Sequence, residues 1–230
     1  MPGRIIQDCG AAELFAPFGV CDLRADWRPR FNVGPGQGVH IIALRDGAPR
    51  ALRMRWGIPA RQRGIGGAHH FARSETVRDK QPFRDAIASR RCIVPITGWY
   101  EWPEPKRVHC VRPANGKPLA LAGVYMLAGE DTFVILTIEP NNFVKPLHHR
   151  MGVFLRHEDV PAWLDPSTPE AAVTAMQRQA PDEWFTEYRV STRANRLRND
   201  DAKCVAPLSE AALKRKPKAK RYGGRLGNLR

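Results

Sequence analysis

Apolar residues in this chain fall in short runs punctuated by turn formers, with no long heptad pattern and no long unbroken stretch. The runs 39–44 and 51–56 flank Asp46-Gly47, a dipeptide suited to a tight hairpin turn. Residues 92–96, 119–127 and 132–138 are apolar and partly β-branched, which suits strands. Helical spacing is rarer. It predicts a helix over 82–90, with Phe83, Ala86 and Ile87 on one face. A second is expected over 168–179, where Thr168-Pro169-Glu170 reads as an N-cap followed by proline in the first helical position. Strands do not alternate with helices in a βαβ rhythm, and no segment repeats. The pattern therefore predicts an α+β fold with mainly antiparallel strands.

Charge adds a partner to this picture. The 230 residues carry a formal net charge of +14. A field of that sign and size attracts polyanions, and nucleic acid is the usual one. Residues 213–230 hold eight Lys or Arg and no acid, while the rest of the chain keeps +6. That segment reads as a disordered arm for phosphate groups, or as a solubility tail. No apolar run approaches the length of a membrane span, and the five cysteines show no metal-ligand pairing. A cytoplasmic protein is expected, nucleoid-associated in a bacterium, with no cofactor, no metal and a monomeric state.

Several short patches carry candidate chemistry. They are Met1-Pro2-Gly3-Arg4, Arg30-Phe31-Asn32-Val33-Gly34-Pro35-Gly36, Trp56-Gly57-Ile58-Pro59 and Ala72-Arg73-Ser74-Glu75-Thr76. Then come Gly98-Trp99-Tyr100-Glu101-Trp102, Leu136-Thr137, His148-His149-Arg150-Met151, and Val190-Ser191 with Asn195. In order and approximate spacing they resemble the SRAP family, the SOS-response-associated peptidases or abasic-site processing proteins, from residue 1 to about residue 208. The resemblance implies one domain over 1–212 with a barrel-like core and a few flanking helices. It also implies contact with abasic sites in single-stranded or gapped DNA. In the family an amino-terminal cysteine, freed by removal of Met1, closes a thiazolidine on the sugar aldehyde. Glu101 and His148 match the assisting glutamate and histidine. Arg4 is a candidate phosphate contact. Asn32, Pro35, Trp56, Arg73, Trp102, Thr137 and Arg150 match positions that hold DNA or shape the pocket.

Three departures change the expected chemistry. Pro2 stands in place of the cysteine, Phe71 in place of an asparagine, and Gly152 in place of a proline. With no thiol beside the amine, a thiazolidine cannot close. A prolyl amine can still condense with an aldehyde to an iminium ion, and an iminium acidifies the neighbouring sugar carbon for β-elimination. Pro2 therefore reads as an aldehyde-capturing amine with lyase capacity, or as a residue tolerated in a decayed DNA-binding site. The family name adds a third reading, a peptidase acting on its own amino terminus. Glu101, set among aromatic residues, is expected to have a raised pKa, and His148 to act as an acid–base group. Trp56, Trp99 and Trp102 are candidates for base stacking or for core packing. His69 and His70 follow a glycine-rich stretch at 64–67 and have either no role or a compensating one beside Phe71. Cys9 reads as a buried small residue.

Overall fold

The computed structural model describes residues 2–21, 27–59, 68–105, 107–128 and 130–213. The glycine-rich stretch 64–67 and the basic segment from 214 onward lie outside the described residues. In chain order the first half contains β1 (Ile5–Gln7), α1 (Ala11–Phe15), β2 (Arg30–Val33), β3 (Gly38–Arg45), β4 (Ala48–Trp56), β5 (Phe71–Arg73) and α2 (Phe83–Ser89). There follow β6 (Arg91–Ile96), β7 (Gly98–Glu104), β8 (Arg107–Pro113), β9 (Leu119–Ala128) and β10 (Glu130–Ile138). The last third adds β11 (Met151–Gly152), β12 (Phe154–Leu155), α3 (Val160–Leu164), α4 (Glu170–Met176), β13 (Phe185–Val190) and α5 (Glu210–Leu213).

Five strands close on themselves. Pairing runs from β10 to β4, β3, β6 and β9, and β9 pairs back with β10. Only the β10–β4 seam of this ring is parallel. Closure leaves no free edge in the ring. β5 lies parallel along β10, so that Arg73 pairs with Thr137. A second, fully antiparallel sheet in the order β13-β8-β7-β1-β2 packs beside the barrel. The β3–β4 hairpin turns as its sequence predicts, with Asp46 at φ 51° and Gly47 at φ 74°. Both φ values are positive, which matches the right-handed twist of the flanking strands.

Both faces of β6, β9 and β10 are largely covered, which explains why their sequences read as continuous apolar runs, whereas β4 alternates buried residues with exposed Arg50 and Arg53. Val39, Ile41 and Ala43 pack with Ile5, Val33, Trp99 and Val111 of the second sheet. Ile42, Ile93 and Val134 instead meet the helices through Leu14, Ile87, Trp163 and Val173. Buried Arg91 ties two helix ends to the barrel. Its guanidinium donates to the carbonyls of Ile87 (2.8 Å), Ala88 (2.6 Å), Trp163 (2.6 Å) and Asp165. Carbonyls in the last turn of a helix lack intrahelical partners, and one cation reaches the ends of both helices; Asp165 O also accepts from Thr168 N–H at 3.1 Å.

The helix at 82–90 forms as expected, as α2. The other is shorter than its pattern predicts. Pro169 is still extended (ψ 143°), and Thr168 Oγ donates to Ala162 O at 2.6 Å instead of capping. The helix starts at Glu170 and ends at Met176.

Candidate active site

The second sheet brings the chain start to Glu101. β1 pairs with β7 through Ile5–Trp99 and Ile6–Gly98, and Tyr100 N–H donates to Arg4 O at 3.0 Å. Following that register backwards leads residues 3 and 2 along Glu101. Pro2 is buried. Its ring lies over β11, where a methyl group on Gly152 would come within 3.3 Å of Pro2 Cγ and 2.3 Å of Leu121 Cδ1. The lack of a side chain at 152 thus leaves room for both neighbours.

Glu101 is only 2 % exposed. Burial raises its pKa to about 7, against the positive charge of the chain's amino terminus and the Trp99 indole, which lower it. Trp99 Nε1 donates to Glu101 Oε1 at 3.1 Å, and the Trp99 ring is fixed between Phe154 and Phe185. A carboxyl in this state is present as acid and as base at neutral pH.

His148 lies under the influence of the same chain start. Burial lowers its pKa to about 4, helped by the amino-terminal charge and by His149. It is a neutral imidazole at physiological pH. Nδ1 lies 2.9 Å from Arg150 N and 3.1 Å from Arg150 O, so it accepts from the N–H in one tautomer and donates to the carbonyl in the other. The same amino-terminal charge therefore bears on both Glu101 and His148.

The remaining candidates form two groups around this centre. On one side, Asn32 is fully buried. Its oxygen accepts from Arg4 Nη1 (3.1 Å), and its amide donates to the carbonyls of Ala194 (3.1 Å), Arg196 (3.1 Å) and Asn199 (2.9 Å). Arg4 also reaches Ala194 O (2.9 Å) and lies 5.9 Å from the centre of the Trp102 ring. Trp102 Nε1 donates to Asn195 Oδ1 at 2.7 Å. Pro35 sits half-buried in the turn after β2. On the other side, Arg150 makes a bidentate pair with Glu75 (2.7 and 2.8 Å) and reaches Thr137 O (2.8 Å). The Arg150 bond holds the Glu75 carboxyl below the usual carboxylate range. Arg73, opposite Thr137, is exposed.

Three of the residues matched to positions that hold DNA or shape the pocket are enclosed. Trp56 is fully buried, donates to His70 O at 3.0 Å and meets the edge of Phe71 at 5.7 Å. It is a wall and cannot stack on a base; Trp99 is buried likewise. Asn32 spends its amide on the protein's own carbonyls, and Thr137 donates to Ala72 O at 3.4 Å. Phe71 has joined that wall by packing on Trp56. The accessible candidates are Arg73 and, in part, Arg4, Pro35, Trp102 and Arg150. Sequence reasoning did not single out Glu75 as the partner of Arg150, nor Trp99 as the donor to Glu101. Cys9 is half-buried, and burial pushes its thiol up to about 12. Among the described residues no group of three or more His, Cys, Asp or Glu could hold a metal ion. No described helix is long and apolar enough to cross a membrane. A cleft of about 470 Å³ lies elsewhere, between Lys117, His157, Glu183 and Trp184. It mixes both charges and contains none of the groups above.

Fold and geometry define a closed-barrel protein whose amino-terminal charge bears on a buried carboxyl. The chain belongs to the SRAP family, SOS response associated peptidase, whose model matches residues 1–197. It is 32% identical to the abasic site processing protein YoaM of Bacillus subtilis, over 86% of this chain and 97% of that one. It is 26% identical to the abasic site processing protein HMCES of Gallus gallus, over 90% of this chain and 78% of that one. A crystal structure of a Bacteroides thetaiotaomicron protein shares the fold, with a TM-score of 0.78, 22% identity and coverage of 90% and 100%. A phage-related protein of Bordetella bronchiseptica is also similar, with a TM-score of 0.68, 29% identity and coverage of 82% and 93%.

Proposed function

We propose that this chain processes abasic sites in single-stranded DNA, capturing the sugar aldehyde on the Pro2 amine as a reversible iminium. The observation that carries the reading is the setting of the chain start. Its charge bears on a carboxyl with a pKa of about 7 and on a neutral histidine. Kinship to abasic site processing proteins supplies the substrate class. Removal of Met1 would transfer that amino-terminal charge to Pro2.

The neutral secondary amine attacks C1′ of the open-chain aldehyde and forms a carbinolamine. Protonated Glu101 gives its proton to the departing hydroxyl, water leaves, and a cationic C1′=N bond forms. In the tautomer whose Nδ1 accepts from Arg150 N–H, His148 presents Nε2–H as a donor for the sugar oxygen during ring opening. Glu101, now a carboxylate, can take a proton from C2′. The electron pair then expels the 3′ phosphate by breaking the C3′–O bond. Water returned to C1′ releases the unsaturated aldehyde and restores the Pro2 amine. Each part is ordinary covalent and acid–base catalysis. Lacking a thiol, the site has no route to a thiazolidine.

Borohydride reduction during incubation with an abasic oligonucleotide tests the reading. A covalent adduct is expected with the free Pro2 amine and none after that amine is acetylated. Absence of an adduct in the first case, or its persistence in the second, refutes it.

A further inference from the structure

A second basic feature lies beside the candidate site and is not used by its chemistry. It is a cleft of about 250 Å³ lined by Gln7, Arg28, Arg30, Gly38, His40 and Arg53. Among the described residues no carboxylate lines it. The sequence Arg28-Pro29-Arg30 builds one wall. Proline holds the preceding residue extended, and in an extended chain residues two apart share a face. Trp27 anchors the approach by donating to Cys9 O at 3.2 Å and packing its ring against His40 at 5.3 Å.

The opposite wall is Arg53, placed by a glycine. His40 pairs with Arg53 and Gly38 with Arg55 across the hairpin. A methyl group on Gly38 would lie 2.7 Å from both Cζ and Nη2 of Arg53. The guanidinium therefore rests directly on the Gly38 backbone, a position that any side chain there would deny it. The three arginines are not equivalent. Arg30 is ion-paired with Asp200, whose other oxygen accepts from Phe31 N–H (2.6 Å) and Asn32 N–H (3.0 Å). Arg28 and Arg53 have no ion pair among the described residues and are exposed. Two guanidinia facing one cleft, with no ion pair among the described residues, favour an anion with several oxygens.

Position selects among such anions. Arg4 directly precedes β1 and Gln7 ends it, and across the pairing Ile5 lies opposite Val33 and Gln7 opposite Arg30. Three strand residues span about 10 Å. Gln7, in the lining of the cleft, is thus about that far along the chain from Arg4, whose side chain meets Asn32. We infer that Arg28 and Arg53, seated by Gly38, form a phosphodiester-binding cleft for the DNA strand flanking the lesion. The inference rests on the abasic-DNA reading for its ligand.

The test is fluorescence anisotropy over a salt series. The probe is a single-stranded oligonucleotide with a central tetrahydrofuran, a ring-closed abasic analogue without an aldehyde. Loss of two phosphate contacts in R28Q/R53Q should reduce the log–log salt slope by about 1.4 and affinity about tenfold at about 0.1 M salt. G38A keeps every charge but displaces Arg53, and should weaken binding by a smaller factor. R107Q, altering an exposed arginine on β8, should leave the slope unchanged. On an oligonucleotide trimmed to the residues next to the lesion, R28Q/R53Q and wild type should bind alike. Equal slopes for R28Q/R53Q and R107Q, or a difference that persists on the trimmed probe, overturn the inference. Borohydride trapping at saturating abasic DNA separates the two claims. Trapping without a slope change leaves the Pro2 chemistry standing and removes the cleft. A slope change without trapping does the reverse.

Discussion

Asn32 and Glu101 are both buried polar residues in the second sheet, and they face opposite fates. Asn32 meets one cation and three carbonyls, so its oxygen and its amide are committed to the protein. Glu101 accepts from the Trp99 indole, feels the amino-terminal charge, and is held by burial near its protonation midpoint at neutral pH. A buried polar group satisfied on every side is a brace. One that burial keeps close to exchanging its proton can take part in a reaction. The same sheet carries both, and the brace at Asn32 fixes the 194–199 segment and Arg4 around the reactive end.

Replacing each residue should separate these roles. E101Q should reduce borohydride trapping by about 10²-fold or more, because proton transfer from a positioned group is worth that much. The fold should survive. The raised pKa of Glu101 means that its contribution to stability is present at acidic pH and lost as pH rises through about 7. E101Q removes that loss, so its melting temperature at pH 8 should exceed that of wild type by about 2–4 °C per kcal/mol recovered. His148 has the opposite sign. Its lowered pKa costs stability as pH falls from the ordinary histidine range towards about 4.

N32A should do the reverse of E101Q. Denaturant unfolding should show a loss of about 2–4 kcal/mol, the consequence of leaving buried partners unsatisfied. Trapping per folded molecule should change far less. A large loss of trapping with unchanged stability would break the contrast.

The pH dependence of trapping sharpens it further. The amine must lose its proton near pH 8, while Glu101 must keep its proton near pH 7. The rate should peak between about pH 7 and 8. W99F removes a donor that favours the carboxylate, and should move the alkaline limb upward by an amount near 1 kcal/mol. The smallest effect belongs to E75Q. It frees Arg150 from a half-exposed ion pair worth about 0–1 kcal/mol, and should tighten DNA binding slightly.

Much of the barrel was legible in the chain because β6, β9 and β10 are apolar on both faces. The runs 92–96, 119–127 and 132–138 sit inside β6, β9 and β10, and Asp46-Gly47 turns its hairpin. The second sheet was not. β7 mixes Trp99, Glu101 and Pro103, and β13 alternates exposed Thr186 and Glu187 with half-buried Tyr188. Such strands have no periodic signal of their own, since long-range pairing creates them. Pro2 and Glu101 were nameable from their motifs. That Trp56, Asn32 and Thr137 are enclosed could not be read, because enclosure depends on residues such as Ala72, His70 and Asn199 distant in sequence. The neutral state of His148 was hidden for the same reason, as it follows from burial.

The central claim is that the reacting atom is the Pro2 nitrogen. Peptide mapping by mass spectrometry of the borohydride-reduced adduct tests it most directly. The account predicts a chain lacking Met1, with the reduced sugar on the amino-terminal peptide, bonded through the Pro2 nitrogen. A sugar attached to a lysine, or an adduct on a chain that retains Met1, would contradict it.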